Sequence, residues 1–344
     1  MKRIMFLVRR LFDMDYKEMF KVASEIKKRT GKSKLSIFLD IIYVGFKYQA
    51  GYTDYIEFEL YNIPNSKRST FITRGVNYGY VSSLNDIEAR KLLDNKIEFL
   101  KEFDELIGRE WLDLSVCKFE DFNKFFKEEK NIIAKPVDGM CGVGIQFYTL
   151  PDSDEEIRKV YDSCIKDGTT LVEEVIIQHP ELSRIHPASI NTVRIVTLQI
   201  NGNVGIPFAC LRVGNGKRVD NHASGGLVAR IDLETGRVDT LGTGKYGSEY
   251  LQHPITGVDF IGFEIPMYTE AIELVKKAAN RIPKVGLIGW DIAITNKGPV
   301  VVEGNDYPCY ALYQSPAFIG EKKIGIRPVF DKMIADLKSK EPVK

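Results

Sequence analysis

The stretch 286–305, GLIGWDIAITNKGPVVVEGN, limits the fold more than any other part of this chain. Residues 290–294 and 299–304 alternate as strands do. Between them, Thr295-Asn296-Lys297-Gly298 is a turn signal with glycine where a positive φ is needed. The pattern predicts a β-hairpin centred near Lys297. Asp291 and Glu303 are equidistant from that centre, so they are expected as cross-strand neighbours on one face. Asn305, two residues beyond Glu303, shares that face. Ile292, Ile294, Val300 and Val302 are expected to point the other way, into a core. Facing carboxylates repel unless something neutralises them. A hard divalent cation does so, and Mg²⁺ is commonly held by one or two carboxylates plus phosphate oxygens. Asp291, Glu303 and Asn305 are therefore the predicted metal ligands. A solvated charged face is the plainer alternative, but it suits Lys297 better than an acidic pair set in apolar strands.

The chain has 344 residues, 44% hydrophobic and 28% charged, enough for a large core and two or three subdomains. A net charge of +1 makes no electrostatic case for nucleic acid as a partner. The opening MKRIMFLVRR is too short an apolar run, and too soon ended by Arg9 and Arg10, for a signal peptide. Five cysteines without C-x-x-C spacing argue against a disulfide framework or zinc site and fit a reducing cytoplasm. The four histidines show no ligand spacing.

Helical periodicity marks 15–29, with Met19, Phe20, Val22, Ala23 and Ile26 apolar and Gly31 as the stop. A second helix is expected over 35–46. It is interrupted by Asp40 and reads as buried; a membrane-surface helix is the minority reading. The segments 54–61, 70–74 and 80–84 have no clear period. A single helix is expected over 87–106, capped by Asn85 or Asp86 and stopped before Gly108.

From Asn131 the signals sharpen. A short strand ends in Lys135-Pro136, and Asp138-Gly139-Met140-Cys141-Gly142-Val143-Gly144 leads into another strand. A glycine turn entered by lysine can wrap phosphates with backbone N–H groups. It fits neither a Walker nor a Rossmann loop, and a plain glycine hairpin is the alternative. Glu173 and Glu174 are adjacent in the strand 170–177, so only one can enter a given cleft. The strands 190–200 and 204–213 read as a hairpin across Asn201-Gly202-Asn203. Arg194 and Arg212 are offset by two about that turn and can share a sheet face. Two guanidiniums there suit an anion; pairing with surface acids is the alternative. His222 lies in a polar glycine-rich loop, where it reads as a base, a substrate contact or a mere loop residue. The literal G-x-G-x-x-G at 242–247 has no following helix and is discounted.

Taken in order, Asp94-Asn95-Lys96, Ala134-Lys135-Pro136 before the glycine loop, Val172-Glu173-Glu174, Asp291 and Glu303-Gly304-Asn305 resemble the ATP-grasp superfamily. The resemblance runs from about residue 93 to 308. SINTVRIVT, VDNHASGGLVARID and the Asp306-Tyr307-Pro308 after Asn305 look like its sugar-transfer-associated branch, found with polysaccharide biosynthesis genes. The resemblance implies an α+β ATP-grasp fold, two α+β subdomains clasping ATP, with an additional N-terminal helical/mixed region. The implied division is 1–110 for that region, 111–175 for the lid with its flap, and 176–344 for the metal-binding subdomain. It implies that Lys96 and Lys135 hold ATP phosphates, although Asn95 separates Asp94 from Lys96 where many relatives have Asp-Lys. It implies a flap from Asp138 to Gly144, including Gly139 and Gly142, and a hinge strand at Glu173 and Glu174 beside the nucleoside. Asp291, Glu303 and Asn305 would hold one or two Mg²⁺. Arg194 and Arg212 would stabilise the transferred phosphoryl group.

The activity so implied is a carboxylate–amine ligase working through an acyl-phosphate, with a sugar acid or amino acid as one substrate. A kinase on the same scaffold is the nearest rival, and a nucleotide-binding module without chemistry is the rival of another class. Expected partners are ATP, a small carboxylate and an amine or sugar, and no nucleic acid. Peripheral contact with a membrane or a lipid-linked sugar is left open by the apolar 35–46 segment.

Overall fold

A computed structural model describes residues 15–137, 144–216, 220–244 and 247–342. The flap positions Asp138, Gly139 and Gly142 lie outside the described residues. The chain divides into two compact units. Unit 1 comprises residues 1–83 and 309–336, and unit 2 comprises 84–308 with 337–344.

Unit 1 is helical. Helix α1, Tyr16–Thr30, starts where the Asp15 side chain accepts the Glu18 N–H at 3.0 Å, and ends at Gly31 with φ 71°. Its Met19, Val22, Ala23 and Ile26 pack against Ile37, Ile41 and Val44 of α2, Lys34–Tyr48. Phe20 is exposed instead of joining them. Asp40 is compatible with so apolar a helix because Arg68 donates to it twice, at 2.7 and 2.8 Å, and Tyr55 donates at 2.7 Å. The expectation of a buried α2 holds for one face only: Leu35, Leu39 and Tyr43 are exposed. Two of the aperiodic segments are largely helical, in Tyr52–Glu57 and Arg74–Leu84.

Unit 2 begins with a correction. The expected helix over 87–106 is broken into Lys91–Asp94, α3 over Lys96–Glu102, and Asp104–Ile107. Asn95 adopts an extended backbone, and its side chain accepts the Ile97 and Glu98 N–H groups, so a new helix starts there. Asn85 caps nothing. Buried, it donates to the carbonyls of Leu287 and Asp306 and accepts from the Leu287 N–H.

Two antiparallel sheets follow. The four-stranded sheet contains β1 (Trp111–Asp113), β2 (Asn131–Lys135), β3 (Gln146–Thr149) and β4 (Leu171–Glu174), in the order β1-β4-β2-β3. Helices α4 (Phe119–Glu129) and α5 (Asp154–Asp167) cover it, with Phe122, Phe126, Ile157 and Cys164 filling the core against Ile132, Ala134 and Val172. The seven-stranded sheet contains β5 (Val193–Ile200), β6 (Asn203–Val213), β7 (Leu227–Arg230), β8 (Gly242–Thr243), β9 (Glu249–Tyr250), β10 (Leu287–Thr295) and β11 (Gly298–Asn305). Its order is β11-β10-β5-β6-β7-β8-β9. Helix α6, Tyr268–Arg281, lays Ala271, Val275, Ala278 and Ala279 into a core shared with Ile288, Trp290, Ile292 and Ile294. Each large apolar side chain buried in this way contributes about 1.5–3 kcal/mol.

Both predicted hairpins form. Asn201 and Gly202, with φ 54° and 79°, join β5 to β6 in the left-handed conformation that a two-residue hairpin turn favours. In the second hairpin Thr295 pairs with Gly298, whose φ of 135° is open to glycine alone among common residues. A two-residue turn by itself would set Asp291 opposite Val302. A bulge beyond Ile292 shifts the register, so Asp291 pairs with Glu303 and Ile292 with Val301. Val301 joins Ile292 and Ile294 in the core cluster; Val300 is buried as expected but outside that cluster, and Val302 is half-buried. Strand β10 is central and buried on both faces, so the alternation read from its residues is not an inside–outside alternation.

Candidate active site: two charged clusters in unit 2

Strand pairing lays a row of side chains across the large sheet. Glu303 on β11 faces Asp291 on β10, Asp291 faces Arg194 on β5, and Arg194 faces Cys210 on β6. Successive partners across a sheet share a face. Arg194 binds Asp291 through Nε at 2.5 Å and Nη2 at 2.8 Å, a two-point grip. Arg212, two residues along β6 from Cys210, donates to Asp291 Oδ2 at 2.5 Å. The two arginines thus share one carboxylate, as their even offset allows. Gly289 makes room for this, since a Cβ there would lie 3.3 Å from the Arg194 side chain and 2.8 Å from Pro308.

Burial alone would raise the pKa of Asp291, but the two guanidiniums outweigh it and hold the carboxyl well below the usual range. Glu303 behaves oppositely. The residue keeps exposed surface, yet protein atoms surround its carboxyl group. That desolvation, followed by the charge of Asp291, pushes it up to about 7. Asn305 donates to Glu303 Oε1 at 3.4 Å and to the Gly289 carbonyl at 3.3 Å, and so sits beside it. Burial likewise pushes the Cys210 thiol up to about 12, against the pull of the two arginines, so it stays protonated.

Asp220 belongs to this cluster although sequence reasoning passed over it. Its carboxylate accepts the Thr192 N–H at 3.0 Å and the Thr192 hydroxyl, and pairs with Arg212 at 3.3 Å. It anchors the loop that carries His222, which lies half-buried in the 3₁₀ turn His222–Ser224. The signal was present in the phrase VDNHASGG, where Asp220 opens a polar glycine-rich loop.

The second cluster lies on the small sheet. Lys135 at the end of β2 pairs with Glu173 Oε1 at 2.7 Å, and Arg109 donates to Glu173 Oε2 at 2.5 Å. Arg109 also donates to the Val301 carbonyl at 2.8 Å. It follows Gly108 just before β1, with no motif around it, so nothing in the local sequence marked it. Burial works against ionisation of Glu173, but Arg109 and Lys135 win and keep its pKa low. Adjacent Glu174 stays half-buried, and its carboxylate accepts the Glu110 N–H at 3.3 Å. The two glutamates therefore have different surroundings, as adjacency in a strand requires. Lys96, at the start of α3, donates to the carbonyls of Pro136 and Val137 at 3.1 and 2.9 Å. This places its ammonium where β2 leaves for the glycine loop. Gly144, at the loop's far end, has φ 79°.

The donor chemistry suits a hard cation. Asp291, Glu303 and Asn305 offer oxygen atoms, and a like-charge pair with one raised pKa is relieved by positive charge. Among the described residues, no group of three or more His, Cys, Asp or Glu side chains forms a cage for a metal. An ion here would complete its shell with oxygens from water or a bound substrate.

A family model described as sugar-transfer associated ATP-grasp matches residues 76–320. No curated protein matches the chain in sequence. Among solved structures, the chain is similar to D-alanyl-alanine synthetase A from Vibrio cholerae, at 12% identity and a TM-score of 0.42 over 73% of this chain and 66% of that one. It is similar to D-alanine–D-alanine ligase from Bacillus anthracis at 13% identity and 0.42, over 76% and 73% of the two chains. It is also similar to the ATP-grasp ligase PsnB complexed with minimal precursor, at 15% identity and 0.41, over 78% and 70%. The chain thus spans just under two thirds of the Vibrio enzyme's length. These likenesses are loose, whereas the family match is specific and covers more than half of the sequence. The chain belongs to the sugar-transfer associated ATP-grasp family.

Proposed function

We propose that the chain is an ATP- and Mg²⁺-dependent carboxylate–amine ligase acting in the cytoplasm in polysaccharide assembly, such as that of a capsule or exopolysaccharide. A carboxylate oxygen attacks the γ-phosphorus of ATP, and ADP leaves. The amine nitrogen then attacks the acyl carbon, inorganic phosphate leaves, and the nitrogen loses a proton. A sugar acid and an amino acid or other amine are the substrates that suit the family's name. An acceptor on a lipid-linked sugar fits the same reading.

In this reading Lys135 and Lys96 bind the phosphates, and the loop with Asp138, Gly139, Gly142 and Gly144 covers them. Glu173 and Glu174 lie on the strand beside the nucleoside, with Glu173 orienting Lys135. Arg194 and Arg212 stabilise the transferred phosphoryl group, and His222 contacts substrate or takes the amine proton. Asp291, Glu303 and Asn305 would hold one or two Mg²⁺, which supply charge neutralisation at the phosphate oxygens. The working parts are then 1–110 as an accessory region, 111–175 as the lid and 176–344 as the metal-binding subdomain.

The observation that supports this reading best is the pair Asp291–Glu303. One carboxylate is satisfied by two arginines, and the other is left with a raised pKa beside Asn305. Calorimetric titration with ATP, with and without Mg²⁺, tests it. Wild type is expected to bind far more tightly with Mg²⁺, and Glu303→Ala to lose that gain. Binding indifferent to both Mg²⁺ and Glu303 would sink the proposal. Product analysis separates the ligase from a kinase, since only a kinase accumulates a stable phosphorylated product when no amine is present.

A further inference from the structure

Helix α2 is apolar on both sides. One side carries Ile37, Ile41 and Val44 into the unit 1 core. On the other side Leu35, Leu39 and Tyr43 follow one another at intervals of one helical turn, 64%, 55% and 39% exposed. A surface helix normally places charged residues there. Helix α1 widens the face. Its exposed Phe20 stacks on Phe38 of α2 with ring centroids 4.2 Å apart, and Tyr16 lies 6.4 Å from the same ring. A contiguous apolar surface of this kind marks an interaction site.

Charge indicates what it meets. Residues 1–48 hold twelve Lys or Arg against five Asp or Glu, a net +7 in a chain whose total is +1. The other 296 residues are therefore net −6, with 36 basic and 42 acidic side chains. The basic groups border the apolar face directly. The Lys34 ammonium lies 5.3 Å from the centre of the Phe20 ring, and that of Lys47 lies 5.2 Å from the Tyr43 ring. Three nearby acids are already paired: Glu18 with Lys21, Glu25 with Arg29, and Asp40 with Arg68; Asp15 caps α1 by accepting the Glu18 N–H. Residues 1–14, MKRIMFLVRRLFDM, repeat the same mixture of apolar and basic side chains in sequence.

Aliphatic and aromatic groups flanked by lysines suit the boundary between lipid chains and headgroups. The rings and branched chains enter that boundary while the ammonium groups stay with the phosphates. A net positive charge adds attraction to an anionic leaflet. Among the described residues no helix is long and apolar enough to cross a membrane, so the contact is with its surface. We infer that the α1–α2 face of unit 1 docks on an anionic membrane surface. This does not depend on the ligase reading, because neither helix contributes a residue to the two charged clusters.

The test is co-sedimentation of the full chain with vesicles of phosphatidylcholine alone and of phosphatidylcholine with about 30% phosphatidylglycerol. Wild type is expected to pellet with the anionic vesicles and to bind neutral ones at least about tenfold more weakly. Leu35→Ser/Leu39→Ser and Lys34→Glu/Lys47→Glu are each expected to weaken anionic binding by about tenfold. Salt at about 0.5 M should reduce wild-type binding similarly. Leu35, Leu39 and Lys47 are exposed and Lys34 is half-buried, and thermal melting of each variant checks that it is folded. If a variant does not fold, the lipid and salt dependence of wild type decides the matter. Wild type left in the supernatant with both vesicle types overturns the proposal, as does undiminished binding by folded variants. So does a concentration-dependent dimer that Leu35→Ser/Leu39→Ser abolishes in the absence of vesicle binding, which would make the face a self-association surface.

Discussion

The two sheets of unit 2 each carry a buried ion cluster, and the two are unbalanced in opposite directions. At the small sheet Arg109 and Lys135 share the single carboxylate of Glu173. At the large sheet Arg194 and Arg212 meet Asp291, Asp220 and, one strand further, Glu303. Two cations against one anion leave a positive excess. Two against three leave a negative one whenever Glu303 is ionised. Desolvation raises the pKa of Glu303 and the charge of Asp291 adds to it, whereas at Glu173 Arg109 and Lys135 overcome desolvation. A polyanion completes the first cluster and a cation the second. The Mg²⁺ complex of a nucleoside triphosphate supplies both at once, which is how the proposed ligase reading connects the two sites.

The contrast can be broken from either side. Arg194→Ala removes the two-point partner of a fully buried Asp291 and is expected to cost about 3–5 kcal/mol in urea denaturation. Arg109→Ala should approach that figure, because it leaves Glu173 to Lys135 alone and strips the Val301 carbonyl of its donor. Lys135→Ala should cost only about 1–2 kcal/mol, since Arg109 remains and Lys135 is partly exposed. A reversed order for Arg109 and Lys135 would show that the small-sheet cluster is held from the loop side.

The smallest effect belongs to Glu303 and is read through pH. Its folded pKa of about 7 lies above the unfolded value of 4.5, so the folded state binds the extra proton. Its contribution to stability is complete below pH ~4.5 and is lost as pH rises through ~7. Because the residue is exposed, solvent screening reduces this to about 1 kcal/mol. Glu303→Gln should therefore be more stable than wild type at pH 8 and about equal at pH 4.5, as followed by urea midpoints. Mg²⁺ with ATP should flatten the wild-type profile. A difference independent of pH would remove the surplus-charge account of this cluster.

Local pattern made some of this legible and left the rest hidden. The hairpins were readable because turn residues and strand periodicity lie within a few residues of each other. The Asp291–Glu303 pairing was anticipated with the turn centred half a residue late, an error that the bulge offset; Val300 is buried as expected, whereas Val302 is only half-buried. The helix over 87–106 was misread because the side chain of Asn95 can cap a helix start in mid-run, which apolar periodicity does not reveal. Arg109 and Asp220 were missed for a different reason. Arg109 finds Glu173 64 positions away, and Asp220 reaches Thr192 28 positions back as well as Arg212 on β6. Partners so distant become visible only when the sheets assemble.

Unit 1 is built from two stretches, 1–83 and 309–336, that flank the body of unit 2 in sequence. Its core cluster of residues 19–71 packs against Tyr310, Ala311 and Ile319, and Gln314 is hydrogen-bonded to the backbone of Ile72 at both its N–H and its carbonyl. During synthesis, unit 2 has nearly all its residues by Pro308, whereas unit 1 lacks a quarter of its own. Residues 309–336, made after the body of unit 2, thus complete a unit begun before it. A nascent chain stalled before Cys309 is expected to protect unit 2 from protease while α1 and α2 are still cut. Translation order would then make the proposed membrane-facing unit the final one to mature.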